Sequence, residues 1–110
     1  MKRLAIGVLL AAAMAGVVLY TGVTRDAEYR RLVSAGDEAL AQDQIYLAIE
    51  AFSGAIALKS DTMLAHLKRG ESYHRRGDLV AALRDLTRAA ALAPEATRPL
   101  EHLGDVTKAL

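Results

Sequence analysis

The sequence predicts an all-α protein in which a membrane-length apolar helix is followed by about two and a half helical hairpins. Three observations lead to this fold class. A stretch of 20 uncharged residues lies near the amino terminus, glycines recur at a spacing of 34 residues further along, and the apolar residues between them follow the i, i+3, i+4, i+7 spacing of a helix. Proline, which interrupts helices, accounts for only 2 of the 110 residues.

The first element, residues 1–24, is predicted to be a transmembrane anchor or a signal segment. Two basic residues precede the uncharged stretch from Leu4 to Val23, which as a helix is about 30 Å long and matches the hydrocarbon core of a bilayer. The small-x-small sequence Ala-Met-Ala at residues 13–15 fits a cleaved leader. The stretch stays apolar beyond that point as far as Tyr20, which favours an uncleaved anchor. Both alternatives stay open.

The charges that flank the stretch predict its orientation. The basic residues and the amino group lie on one side, whereas Arg25, Asp26 and Glu28 nearly cancel on the other. Because the positive end stays in the cytoplasm, the sequence predicts a single-pass membrane protein with residues 25–110 on the outer, periplasmic side. Cleavage of the leader would instead give a secreted or periplasmic protein.

Five helices are predicted after the stretch, at 26–42, 45–58, 62–76, 79–92 and 97–110. Asp43, Asp61 and Asp78 each stand just before one of these helices and are predicted to cap it. Gly77 is expected to turn the chain with a positive φ, and Pro94 is expected to end the fourth helix.

The 34-residue spacing is carried by small and large residues that match in kind from one period to the next. The matching positions are Gly36, Gly70 and Gly104, Ala48 and Ala82, Phe52 and Leu86, and Ala55 and Ala89. This helix–turn–helix period resembles the tetratricopeptide repeat (TPR), in which small residues let two helices approach and large ones fill the gaps. The resemblance implies an α-solenoid domain at 25–110, with repeats at 29–62 and 63–96 and a half repeat or capping helix at 97–110.

The second period departs from the pattern at His66 and Arg69, which stand where apolar residues are usual, so we expect weaker contacts there. About three such repeats are usually needed for a stable stack. We therefore expect marginal stability and support from a partner or from a second copy of the chain, as in a homo-oligomer.

Composition and spacing argue against catalysis, a metal, a cofactor and nucleic-acid binding. The chain has no cysteine, and His66 and His74 are eight residues apart, about two helical turns, which is too far to chelate one metal without a third ligand between them. No phosphate-binding, zinc-protease or nucleophile-elbow motif occurs. A net charge of +1 and an aromatic content of 5% give no case for a nucleic-acid partner. We expect a protein that is not an enzyme.

The resemblance implies a partner-binding groove, because in this family the first helix of each repeat lines a concave peptide-binding surface. The positions that carry over are Arg30, Val33, Asp37, Leu40, Leu64, Leu67, Glu71, His74, Arg75, Arg98, Glu101 and Asp105.

Two features are expected within this groove. Asp37, Glu71 and Asp105 are predicted to form a carboxylate row that selects a basic segment. The alternative is a solvated helix face on which Glu71 pairs with Arg75 at i+4. The four apolar residues of the set are predicted to form an exposed floor, so glutamate at both Leu40 and Leu67 is expected to abolish partner capture and leave helicity unchanged.

The function that follows is a non-catalytic protein–protein interaction module. We expect a membrane-anchored adaptor or scaffold, held in the bilayer by residues 4–23, that binds a peptide or protein partner outside the cytoplasm. The alternatives are a cleaved and exported soluble adaptor, and the amino-terminal part of a longer repeat protein whose activity lies elsewhere.

Overall fold

A computed structural model describes all 110 residues as five α-helices with no strand, which confirms the all-α fold class. The helices are α1 Lys2–Ala41, α2 Ile45–Leu58, α3 Met63–Arg76, α4 Leu79–Leu92 and α5 Thr97–Ala109. From α2 onward each helix begins and ends within one residue of its predicted position, because the periodic apolar residues end at clear turn signals.

The apolar stretch and the helix predicted at 26–42 are a single 40-residue helix, which corrects the prediction of two separate elements. The composition changes sharply after Val23, but nothing between there and Tyr29 interrupts the backbone. Thr21 and Thr24 bond back through their hydroxyls to carbonyl oxygens of the preceding turn, at 3.0 Å. A change of composition alone does not end a helix, since the backbone hydrogen bonds continue through it.

The amino-terminal half of α1 makes no tertiary contact and gives the molecule its elongated shape of 70 × 29 × 18 Å. Its most apolar 18-residue window has a mean hydropathy of 2.2, and none of that window is buried. The chain thus contains one helix that is long and apolar enough to cross a membrane.

The helix termini correct the predicted caps. Gln44 and Thr62, not Asp43 and Asp61, occupy the N-cap positions of α2 and α3. Asp78 does occupy the N-cap of α4, but its carboxylate accepts a hydrogen bond from Arg76 at 2.9 Å and caps nothing. Asp43 instead adopts a left-handed conformation, with φ of 57°, in the turn after α1.

Gly77 has the predicted positive φ, at 86°, and ends α3 with a left-handed C-cap. Its amide donates to the His74 carbonyl, and the next amide donates to the Tyr73 carbonyl. Glycine suits this position because it has no Cβ to clash in the left-handed region.

Each helix packs against its neighbours in the chain, so that α2 contacts α1 and α3, and α4 contacts α3 and α5. Two clusters of buried residues lie between the packed helices. The first contains Val33, Ala39, Ala48, Phe52, Ala55 and Ala65, and the second contains Leu67, Ala82, Leu86, Ala89 and Val106.

The two helical hairpins make the same close contact one 34-residue interval apart. A Cβ placed on Gly36 would overlap the ring of Phe52, at 2.6 Å from Cζ. A Cβ placed on Gly70 would lie 2.9 Å from Cγ of Leu86. Phe52 and Leu86 are both fully buried by these approaches. The corresponding Gly104 on α5 has nothing within 4 Å, because no helix covers that side of α5.

Candidate partner-binding surface

A buried polar junction joins α2, α3 and α4. Arg69 donates from Nε and Nη2 to the two carboxylate oxygens of Asp85, at 2.7 and 2.8 Å, and from Nη1 to the hydroxyl of Ser53, at 3.2 Å. The hydrogen bond to Asp85 raises the pKa of Arg69, against the opposing effect of burial. The expectation of a weaker contact at Arg69 is therefore wrong, since this side chain holds three helices together.

His66 lies beside this junction and is also buried. Its Nε2 is 2.9 Å from the carbonyl oxygen of Ser60, and its Nδ1 is 3.8 Å from Asp85. A carbonyl oxygen can only accept a hydrogen bond, so Nε2 carries the proton and donates a hydrogen bond to the Ser60 carbonyl. His66 thus fixes the α2–α3 loop against the core.

The predicted groove residues lie on α1, α3 and α5, and cross-helix ion pairs join these helices into one face, here called the α1–α3–α5 surface. Lys68 of α3 is 2.5 Å from Asp37 of α1, and Arg75 of α3 is 3.0 Å from Asp43. Arg75 also reaches the Leu40 carbonyl at 3.5 Å. Two of the predicted groove side chains, Asp37 and Arg75, are therefore paired within the chain.

Glu71 joins α3 to α5. Its Oε1 lies 3.0 Å from Nη2 of Arg98 and 3.0 Å from Nε2 of His102, and only 15% of its side chain is exposed. The contact with Arg98 is an ion pair, and the contact with His102 is an ion pair only when the imidazole is protonated. The predicted pairing of Glu71 with Arg75 is wrong, because each of the two has a partner on another helix.

The free carboxylate row is therefore corrected. Asp37 and Glu71 are neutralised within the chain, and Asp105 is the member without an ion-pair partner. A row of three unpaired charges would have attracted a basic segment, whereas a single exposed carboxylate offers one contact.

The apolar floor is also corrected. Leu67 is 1% exposed and Val33 is 9% exposed, so both belong to the core. Leu40 packs partly against the first core cluster, which leaves Leu64, at 39% exposure, as the accessible apolar side chain. Glutamate at Leu67 would place a charge inside the core, so we now expect that change to lower helicity.

The remaining predicted residues divide by exposure. Arg30, Arg98, Glu101 and Asp105 face solvent, and His74 is half-buried. No cavity lies on the α1–α3–α5 surface. It is a shallow face with Leu64 among charged side chains, and no group of three or more metal-binding side chains is present anywhere.

Sequence reasoning missed a polar cleft where the α2–α3 loop meets α1, here called the juxtamembrane cleft. It has a volume of about 690 Å³ and is lined by Gly22, Arg25 and Asp26 of α1 and by residues 58–62. Lys59 forms an ion pair with Asp26 and lies over the ring of Tyr29, with Nζ 5.3 Å from the ring centroid.

Two further features define this cleft. The Tyr29 hydroxyl donates to Thr62 at 3.1 Å, and the hydrogen bond from Lys59 lowers the pKa of Asp26. Three ion pairs and one hydrogen bond link side chains of α1 or the turn after it to side chains of α3 or the α2–α3 loop, and each joins residues 31 to 33 positions apart. Opposite charges at that separation are the sequence signal that would have located the cleft.

The structure thus defines an all-helical protein with one helix able to span a membrane and a polar, ion-paired face on alternate helices. No protein-family model matches the chain, and no curated protein matches it. The resemblance to the tetratricopeptide repeat therefore rests on the residues of this chain alone.

Proposed function

We propose that this chain is a membrane-anchored, non-catalytic adaptor of the tetratricopeptide type that holds a protein or peptide partner outside the cytoplasm. The observation that carries the proposal is the repeated contact of Gly36 with Phe52 and of Gly70 with Leu86, at the same 34-residue interval. Two hairpins closed in the same way, followed by a further helix, support a short α-solenoid over residues 25–110.

The exposed half of α1 supports the anchor. Residues 4–23 carry no charge and are all exposed, so in water their large apolar side chains would be solvated at high cost. Insertion into a bilayer removes that cost. The basic residues before the stretch favour a cytoplasmic amino terminus and a periplasmic repeat domain.

The cleaved form is the second candidate, and the Ala-Met-Ala sequence at 13–15 favours it. Cleavage there would leave Val17, Val18, Leu19 and Tyr20 at the new amino terminus, each more than 60% exposed. An exported soluble protein would have to cover these side chains, whereas an anchor buries them in lipid. A mature chain that starts at Gly16, measured by mass spectrometry, would exclude the anchor.

The partner is proposed to bind the α1–α3–α5 surface around Leu64. With Asp37, Glu71 and Arg75 engaged inside the chain, the groups left for a partner are Leu64, Arg30 on α1, and Glu101 and Asp105 on α5. An apolar side chain flanked by basic residues is the peptide chemistry that best complements them.

Photo-cross-linking in native membranes tests this surface. A photoreactive residue at Leu64 is compared with one at Val80, which is 68% exposed on α4 and so serves as the matched control. We expect a discrete adduct from position 64 and none from position 80. No adduct at 64, or the same adducts from both positions, would contradict the proposed surface.

A further inference from the structure

The juxtamembrane cleft lies at the depth of the lipid headgroups if α1 spans a bilayer as proposed. Val23 is the last residue of the uncharged stretch, and Asp26 follows three residues later in the same unbroken helix. Three residues of helix rise about 4.5 Å, which falls within the roughly 5–7 Å occupied by headgroups on each side of the hydrocarbon core.

The α2–α3 loop is held at this depth by three side-chain contacts. Lys59 is paired with Asp26, Thr62 accepts a hydrogen bond from Tyr29, and His66 donates to the Ser60 carbonyl. The loop therefore cannot move away from the bilayer surface independently of α1.

The lining of the cleft carries two cations and two anions. Lys59 and Asp26 neutralise each other, whereas Arg25 and Asp61 are exposed and have no ion-pair partner. The hydroxyl of Ser60 adds a hydrogen-bonding group to the lining of the cleft. No side chain caps the first turn of α3, which begins next to the cleft.

We propose that the juxtamembrane cleft binds the headgroup of a zwitterionic phospholipid that carries a primary amine, of the phosphoethanolamine type. Arg25 binds the phosphate, because a guanidinium donates two hydrogen bonds to phosphate oxygens. Asp61 accepts from the ammonium group. The proposal rests on the membrane anchor of the proposed function and adds a lipid-recognition site to it.

The charge balance decides between lipid classes. A purely anionic headgroup would satisfy Arg25 but would face the carboxylate of Asp61 without a cation to offset it, because Lys59 is already paired with Asp26. A choline headgroup has no N–H group to donate to Asp61. The free pair of one cation and one anion matches a phosphate with an N–H-bearing amine next to it.

The test uses the full-length chain in detergent micelles with an equimolar mixture of phosphatidylethanolamine, phosphatidylcholine and phosphatidylglycerol, and counts retained lipids by native mass spectrometry. We expect preferential retention of phosphatidylethanolamine. Arg25→Gln and Asp61→Asn should each lower that retention about tenfold, the effect of one charge-assisted hydrogen bond. Arg88→Gln and Glu50→Gln, at exposed positions on other helices without ion pairs, are the matched controls and should leave it unchanged.

Competition experiments distinguish recognition of the whole headgroup from binding of phosphate alone. Glycerophosphoethanolamine in solution should compete with the lipid, and inorganic phosphate should not. Retention that is equal for the three lipids, or a preference that both cleft variants keep, overturns the proposal. A preference for phosphatidylglycerol that only Arg25→Gln removes also overturns it, because the amine would then play no part.

Alkaline carbonate extraction of cell membranes distinguishes failure of the cleft from failure of the anchor. Wild-type chain that stays in the membrane but shows no headgroup preference contradicts the cleft alone. Chain that is released by carbonate contradicts the anchor, and with it the cleft.

Discussion

Arg69 of α3 and Asp85 of α4 form a bidentate ion pair in which Nε and Nη2 each donate to a different carboxylate oxygen. Asp85 is 5% exposed at its side chain, and Arg69 is 22% exposed. The same guanidinium reaches Ser53 on α2. The pair therefore joins both hairpins at the point where the small residue Gly70 lets α3 and α4 approach, with Cβ of Asp85 only 3.2 Å from an ideal Cβ on Gly70.

Replacing Asp85 by alanine should destabilise the protein by about 3 kcal/mol, because it leaves a partly buried guanidinium without its anion. Thermal denaturation of the full chain in micelles, followed by circular dichroism, measures the change. Asp105→Ala is the matched control and should shift stability by less than about 0.5 kcal/mol, as an exposed carboxylate without a partner. Equal effects of the two changes would show that the pair contributes nothing.

The glycines at equivalent positions should respond to alanine in opposite directions. Gly70→Ala brings a methyl group to 2.9 Å from Leu86 and should cost about 1–2 kcal/mol net. Gly104→Ala meets no atom within 4 Å and should gain about 0.5–1 kcal/mol from better helix propensity. Melting temperatures of the two variants decide the matter, and a loss of stability in Gly104→Ala would mean that another element covers α5.

Glutamate at neighbouring leucines of α3 should separate core from surface. Leu67→Glu buries a carboxylate in the second core cluster and should abolish cooperative unfolding. Leu64→Glu changes an exposed position and should retain wild-type helicity while weakening partner binding. Far-ultraviolet circular dichroism together with cross-linking yield reports both properties. Full helicity in Leu67→Glu would refute the burial described for this residue.

Acid should release the α2–α3 loop from α1. The pKa of Asp26 is lowered from 3.8 by the hydrogen bond from Lys59, so this contact stabilises the folded state above that pKa and loses its effect as pH falls through the lowered value. The protection factor of the Lys59 amide, which donates to the Ala55 carbonyl at 2.9 Å, should fall below pH 3.8 in the wild type. In Asp26→Asn we expect this protection factor to be reduced already at neutral pH, without that acid dependence. Identical exchange in the two proteins would contradict the ion pair.

The helical periods were predictable because they depend on local patterns. The spacing of Ala48, Phe52 and Ala55 specifies one buried face of a helix whatever lies against it, and Gly77 ends α3 for steric reasons of its own backbone. These features lie within one or two turns of chain, so the sequence contains all that determines them.

The α1–α3–α5 surface was less predictable because it depends on which helices meet. Leu67 and Leu64 are both apolar residues of one helix, and only the position of α4 and α5 decides that the first is core and the second is exposed. Likewise, Glu71 has a suitable i+4 partner in Arg75, yet Arg98 on α5 lies closer. A groove position that is carried over from a family resemblance predicts which face of a helix a residue lies on. It does not predict the ion pairs that form across that face.

Because α1 is unbroken, the apolar segment is rigidly connected to the helices that follow it. From Val23 to Ala41 the helix extends about 27 Å, so if α1 spans a bilayer as proposed, a tilt of about 20° would carry its far end roughly 9 Å sideways. A thicker or thinner membrane, by changing that tilt, would therefore reposition the outward-facing helices without any rearrangement among them.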